Sequence, residues 1–162
     1  MRFSIFLGLF LALALPAAAR AYDDPKELVR AVYAPYLSGQ KHADLAQFYS
    51  TRLQQLFADH AVQVAADLVA SGEAVGEPSP DFNPFIDADN ALILDVTIGE
   101  PVIIGSQALI TVSFHNFDHP SLLALGLVRE EDGWKVDDIS SMGAGENWML
   151  SWVLLYDPWD VK

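Results

Sequence analysis

Residues 108–117 read "ALITVSFHNF", with the apolar Ala108, Ile110, Val112 and Phe114 on one parity and Leu109, Thr111, Ser113 and His115, mostly polar, on the other. A period of two sends the two sets to opposite faces of an extended chain, so the stretch predicts a strand. Working outward, Leu122 to Arg129 is apolar on both parities and predicts a central strand. "REEDGWKVDDIS" (129–140) reads as a hairpin turn at Asp132-Gly133 followed by a strand from Trp134 to Ile139. Upstream, Leu92, Leu94, Val96 and Ile98 share one parity against Ile93, Asp95 and Thr97, which predicts a further strand with that first set on its apolar face.

N-terminal to these strands the periodicity is helical. Asp24-Pro25-Lys26-Glu27 places an N-cap aspartate before a first-position proline and a third-position glutamate, and Leu28, Val29, Val32, Tyr33 and Tyr36 follow at helical spacing. Pro35 is expected to bend or end that helix. A short helical stretch is predicted over 41–48. In "STRLQQLFADHAVQVAADLVASG" (50–72), Thr51 is the expected cap, and Leu53, Leu56, Phe57, His60, Val64 and Leu68 form the apolar face. His60 in that stripe reads as a packed structural histidine. Residues 72–80 are loop, and "DFNPFIDADN" (81–90) stands where period 3.6 gives way to period 2. Helices first and strands second, without alternation, predict an α+β fold.

The first residues, MRFSIFLGLFLALALPAAARA, combine an early Arg2, an apolar run too short for the roughly 20 residues that span a bilayer, and a small-residue site ending at Ala21. They predict a signal peptide over 1–21 and a single domain over 22–162, periplasmic or secreted, with no membrane anchor after cleavage. The chain has no cysteine, which excludes disulfides, zinc–thiolate sites and cysteine nucleophiles. Its formal charge is −13; losing Arg2 and Arg20 leaves seven basic against 22 acidic residues, or −15. Such a surface repels nucleic acid and anionic membranes and attracts cations or basic partners.

An early helix with Tyr33 and Tyr36, the "DFNPFIDADN" loop, "VSFHNF" (112–117) and "LVREEDGWKVDDI" (127–139) together resemble DUF3828, a family of bacterial exported proteins of unknown function. The resemblance covers roughly residues 25–155 and is most specific at Asp81, Asn83, Pro84, Phe85 and Gly133 to Ile139. It implies an NTF2-like, cystatin-like cone in which N-terminal helices pack into the concave face of a curved antiparallel sheet. That group includes isomerases, dehydratases, small-molecule binders and noncatalytic association modules, so it implies no particular chemistry.

The expected function is a noncatalytic exported domain that binds a protein or small ligand at its cavity mouth or through an apolar sheet or tail surface. At such a mouth the ligand-binding candidates are Tyr33, Tyr36, Asp87, Asp89, Trp134 and Asp138. In the tail, Trp148, Trp152, Tyr156 and Trp159 are expected either to close the core or to form an interface with a partner or a second copy. The alternative is a small-molecule acid/base enzyme using His115, Asp118 or His119, whose turn equally suits a solvated hairpin. Asp137 and Asp138, adjacent on a strand, should face opposite ways, with Asp137 on the side of Lys135. No metal or cofactor is predicted: "DADN" (87–90) opens like a calcium loop but lacks the glycine and distal glutamate of one.

Overall fold

The computed structural model describes residues 21–40, 44–72, 82–87, 92–143, 145 and 147–156. The signal-peptide reading and the candidates Asp81, Asp89 and Trp159 lie outside the described residues. Helix α1 (Pro25–Ser38) starts at Asp24, whose carboxylate accepts the Lys26 N–H at 2.8 Å, and runs past Pro35 to a left-handed Gly39 at φ 63°. A single 3-10 turn (Leu45–Phe48) leads to α2 (Thr51–Ser71). The cap of α2 is Ser50, one residue earlier than predicted: its Oγ accepts the Leu53 N–H, while Thr51 instead bonds the Glu130 carboxylate through both N–H and hydroxyl.

Five strands follow: β1 (Ile93–Ile98), β2 (Val102–Ile104), β3 (Gln107–Asn116), β4 (His119–Glu130) and β5 (Gly133–Ser141), before a short closing helix α3 (Leu150–Tyr156). They form one antiparallel sheet in the order β1-β3-β4-β5, with β2 sharing the β1 edge of β3. Along β3 the predicted alternation holds without a break, exposed and buried residues exchanging from Gln107 to Asn116. Its buried set, Ala108, Ile110, Val112 and Phe114, faces Leu127, Leu125, Leu123 and Ser121 of β4, and β4 matches those leucines to Val136, Ile139 and Ser141. Over this face α1 lays Leu28, Val29, Val32 and Tyr33, all fully buried, each aliphatic side chain contributing about 1.5–3 kcal/mol by leaving water. The Tyr33 ring meets Phe114 at 5.9 Å.

The NTF2-like cone is not what the chain forms. The sheet is neither closed nor strongly curled, and helices from both ends of the chain cover it. The reason lies in the central pair: β3 and β4 keep one register from Gln107↔Val128 to Asn116↔His119, with no bulge to bend them. The bulges fall outside that pair. In β1, two residues, Asp95 and Val96, oppose one across the break between Leu94 and Thr97, and Asp95 takes φ 54°. In β5, Asp137 is the extra residue, because Val136 pairs with Leu127 and Asp138 with the adjacent Gly126. The free edge of β5 is covered by bridges from Tyr22, Tyr49 and Met149.

Both bulges correct the parity expected of their strands. Ile93 points inward and Leu94 outward before the bulge, while Val96 and Ile98 turn back to the core after it. Trp134 and Val136 share the core side with Ile139 and Ser141 although their parity differs. The three-residue β2, bounded by Pro101 and Gly105, was not anticipated.

Candidate functional site

Residues 82–87 cross the junction between helices and sheet. The Asn83 side chain accepts the Phe85 N–H at 3.0 Å, closing an Asx turn, and donates to the Tyr36 hydroxyl at 2.6 Å. The Tyr33 hydroxyl donates to the Phe85 carbonyl at 2.8 Å, and Phe85 is itself fully buried. Asp87, held at φ 53°, accepts the Trp148 indole N–H at 2.6 Å on one oxygen and the Ser141 hydroxyl at 3.1 Å on the other. Phe82 meets Trp148 edge-on at 5.1 Å. Tyr33, Tyr36, Asp87 and Trp148 are therefore brought together, but as a clasp that fastens helix, loop and tail. Burial pushes the Tyr33 hydroxyl well above its ordinary pKa; burial likewise raises Tyr36 to about 12 against the opposing effect of the Asn83 hydrogen bond.

Asp137 and Asp138 form a second clasp. The β5 bulge brings both acids to Arg52: its guanidinium bonds Asp137 at 3.0 Å and lies 3.9 Å from Asp138. Asp137 also accepts the Ser50 hydroxyl at 2.6 Å, tying the α2 cap to the sheet. Asp138 accepts the N–H and the hydroxyl of Ser151 in the first turn of α3, satisfying a helix-end donor. The Asp137 carboxylate raises the Arg52 pKa, holding the guanidinium charged. Lys135, read as sharing the side of Asp137, instead forms an ion pair with Asp132 at 2.8 Å. Trp134 is buried at the far end of β5 from Ser141, so it does not join the Tyr33–Asp87 group.

His115 and His119 stand at the β3–β4 turn. His115 lies 3.6 Å from Asp95 and is half exposed, whereas His119 and Asp118, 3.4 Å apart, are almost fully in water. A groove of about 670 Å³ sits at the opposite end of the β4–β5 pair, lined by Tyr49, Gln54, Glu130, Asp132 and Lys135, and contains none of the three acid/base candidates. Among the described residues no three His, Asp or Glu side chains gather as a metal would require. No described helix is long and apolar enough to cross a membrane.

Helix α3 divides the tail aromatics. Leu150, Val153 and Leu154 turn inward, and Trp148 packs against the core. His60, buried in α2, donates its Nδ1–H to the Leu154 carbonyl at 2.9 Å. Leu154 stands in the last turn of α3, where carbonyls lack an intrahelical donor, and His60 supplies one. The outward side carries Trp152 at 64% exposure and Tyr156 at 71%, in an edge-to-face pair at 6.3 Å with Leu155 and Met149 beside them. Helical spacing alone gave no way to separate Trp148 from Trp152, since both stood on an apolar stripe. The Ser50–Asp137–Arg52 contact was missed too, because only the bulge creates it.

No protein-family model matches the chain, and no curated protein matches it. Among solved structures it is similar to a chain of the type VI native effector–immunity complex Tae3-Tai3 from Ralstonia pickettii, at 16% identity and a TM-score of 0.45, over 77% of this chain and 100% of that one. It is also similar to a phospholipid-binding protein from Ralstonia solanacearum, solved with a phospholipid, at 15% identity and a TM-score of 0.34, over 82% of this chain and 59% of that one. Likenesses at this level assign no function.

Proposed function

We propose that this chain is an exported, noncatalytic protein-association domain that docks a basic partner on the outward side of α3. The observation that carries the reading is the Trp152–Tyr156 pair, left in water by a helix whose other side completes the core. Trp and Tyr are the side chains most enriched at binding hot spots, because each buries a large rigid area with few rotamers to freeze. The charge of −13 favours a cationic partner and speeds its approach. Residence in the periplasm or outside the cell, and membership of DUF3828 on the strength of Asn83, Pro84, Phe85 and Gly133 to Ile139, belong to the same proposal.

The test is capture from the exported fraction with the processed protein as bait, followed by titration of the captured protein. We expect a basic partner whose affinity falls with salt and weakens about 30-fold, near 2 kcal/mol, in Trp152→Ala or Tyr156→Ala. Capture of nothing, or equal binding by both variants, would overturn the reading.

A further inference from the structure

The Trp152–Tyr156 pair has a shape as well as an exposure. Its members are four residues apart, so they stand one turn above the other on the same side of α3, and their rings meet at 78° with centroids 6.3 Å apart. One ring set upright on another encloses a corner whose two walls are both aromatic faces. Each face is the negative side of a ring quadrupole, and tryptophan attracts cations most strongly. Both rings stand mostly in water.

We infer that this corner seats an arginine side chain of the basic partner; the inference rests on the docking reading above and names the group that fills the site. A cation within about 6 Å of a ring centroid is attracted by the face, and a corner of this size brings two faces to bear on one cation. The chain's own cations are committed elsewhere. Among the described residues the basic side chains are Lys26, Arg30, Arg52, Arg129 and Lys135, and each already faces a carboxylate. Helix α3, LSWVLLY, carries no charge, so it holds no base to repel an incoming one. The excess of 22 acidic over nine basic residues in the whole chain draws a partner of the same sign.

Arginine fits the corner better than lysine. Its guanidinium is planar and weakly hydrated, so it can lie flat on an indole, whereas an ammonium holds its water more tightly. Its methylene stem needs apolar contact, which Met149 and Leu155, 41% and 49% exposed, offer beside the pair. A purely apolar side chain would bury area there without drawing on the charge of the two faces. That difference is measurable.

Three peptides test the inference on the processed protein at about 0.15 M salt, where long-range attraction is largely screened. They are acetyl-Gly-Arg-Gly-Arg-Gly-Arg-amide, its lysine counterpart, and its citrulline counterpart, in which a neutral urea replaces the guanidinium at nearly constant shape. Binding is followed by titration of the Trp152 indole N–H resonance, assigned from its loss in Trp152→Phe. The arginine peptide should bind about tenfold more tightly than the citrulline peptide, with lysine between them, and Trp152→Ala should weaken it about tenfold when binding is followed by calorimetry. Tryptophans carrying one, two and three ring fluorines at position 152 keep the ring's area and drain its face, so affinity should fall stepwise by about twofold per fluorine. Trp152 is 64% exposed, so none of these changes removes a core contact. Equal affinity across the fluorinated series overturns the inference and leaves the docking reading standing, because the pair then acts by apolar burial alone. Equal binding of the arginine and citrulline peptides, or arginine binding unchanged in Trp152→Ala, also overturns it. Tetramethylammonium binding more tightly than the arginine peptide would assign the corner to a small ammonium ligand instead. The docking reading itself fails on a separate result, an empty capture from the exported fraction.

Discussion

Tyr36 shows how a single hydroxyl comes to report on the fold. Burial raises it from the ordinary 10 to about 12, so the folded chain keeps its proton over a range in which the unfolded chain has lost it. The unfolded state then binds fewer protons, and stability falls as pH rises. Its contribution is full below pH 10 and disappears by about pH 12, with Tyr33 and Tyr49, raised by the same burial, adding to the slope. Thermal melts should therefore show a falling Tm above about pH 10, with a shallower fall in Tyr36→Phe; an equal fall in both proteins would contradict this. At this scale the sequence discloses local chemistry and little else. Asp24 as a cap and Asn83 as a turn former act on residues two positions away. The partners of Asp87 are 54 and 61 residues off, so its carboxylate reads as free until the tail has folded back onto it.

Among the elements, the regular strand was legible and the irregular ones were not. Residues 108–117 declare their faces because β3 alternates without interruption. In β1 the even-numbered apolar set looked like one face, yet Asp95 in a left-handed conformation reverses the phase between Leu94 and Val96. β5 did carry a signal: its core residues change parity across Asp137-Asp138. Deleting Asp137 tests that account. Removing one residue from a bulge restores simple alternation, turning either the Trp134–Val136 or the Ile139–Ser141 pair to the wrong face. The deletion should abolish cooperative unfolding and near-ultraviolet circular dichroism, while Asp137→Ala, which keeps the residue and loses the Arg52 and Ser50 bonds, should remain folded and be weakened by about 1–3 kcal/mol in urea denaturation.

For the molecule as a whole, the order of helices before strands was enough to give an α+β layer arrangement, but not the shape of the sheet. Curvature depends on where bulges fall across paired strands, and pairing is a property of two segments at once. The excess of acid over base has its own consequence: like charges on a compact body repel more than on an expanded chain. Raising salt from about 10 mM to about 0.15 M should screen that repulsion and increase Tm by a few degrees; an unchanged Tm would mean that the acids are too widely spread to matter. The core also needs α3, which follows the five strands in the sequence. Leu150 and Leu154 come from α3, and Asp87 and Asp138 await Trp148 and Ser151. A chain that has formed these five strands but not α3 still holds a sheet with an uncovered flank, and Asp87 and Asp138 lack the donors that Trp148 and Ser151 bring. The sheet stays pliable on that flank until residues 148–154 have folded back onto it.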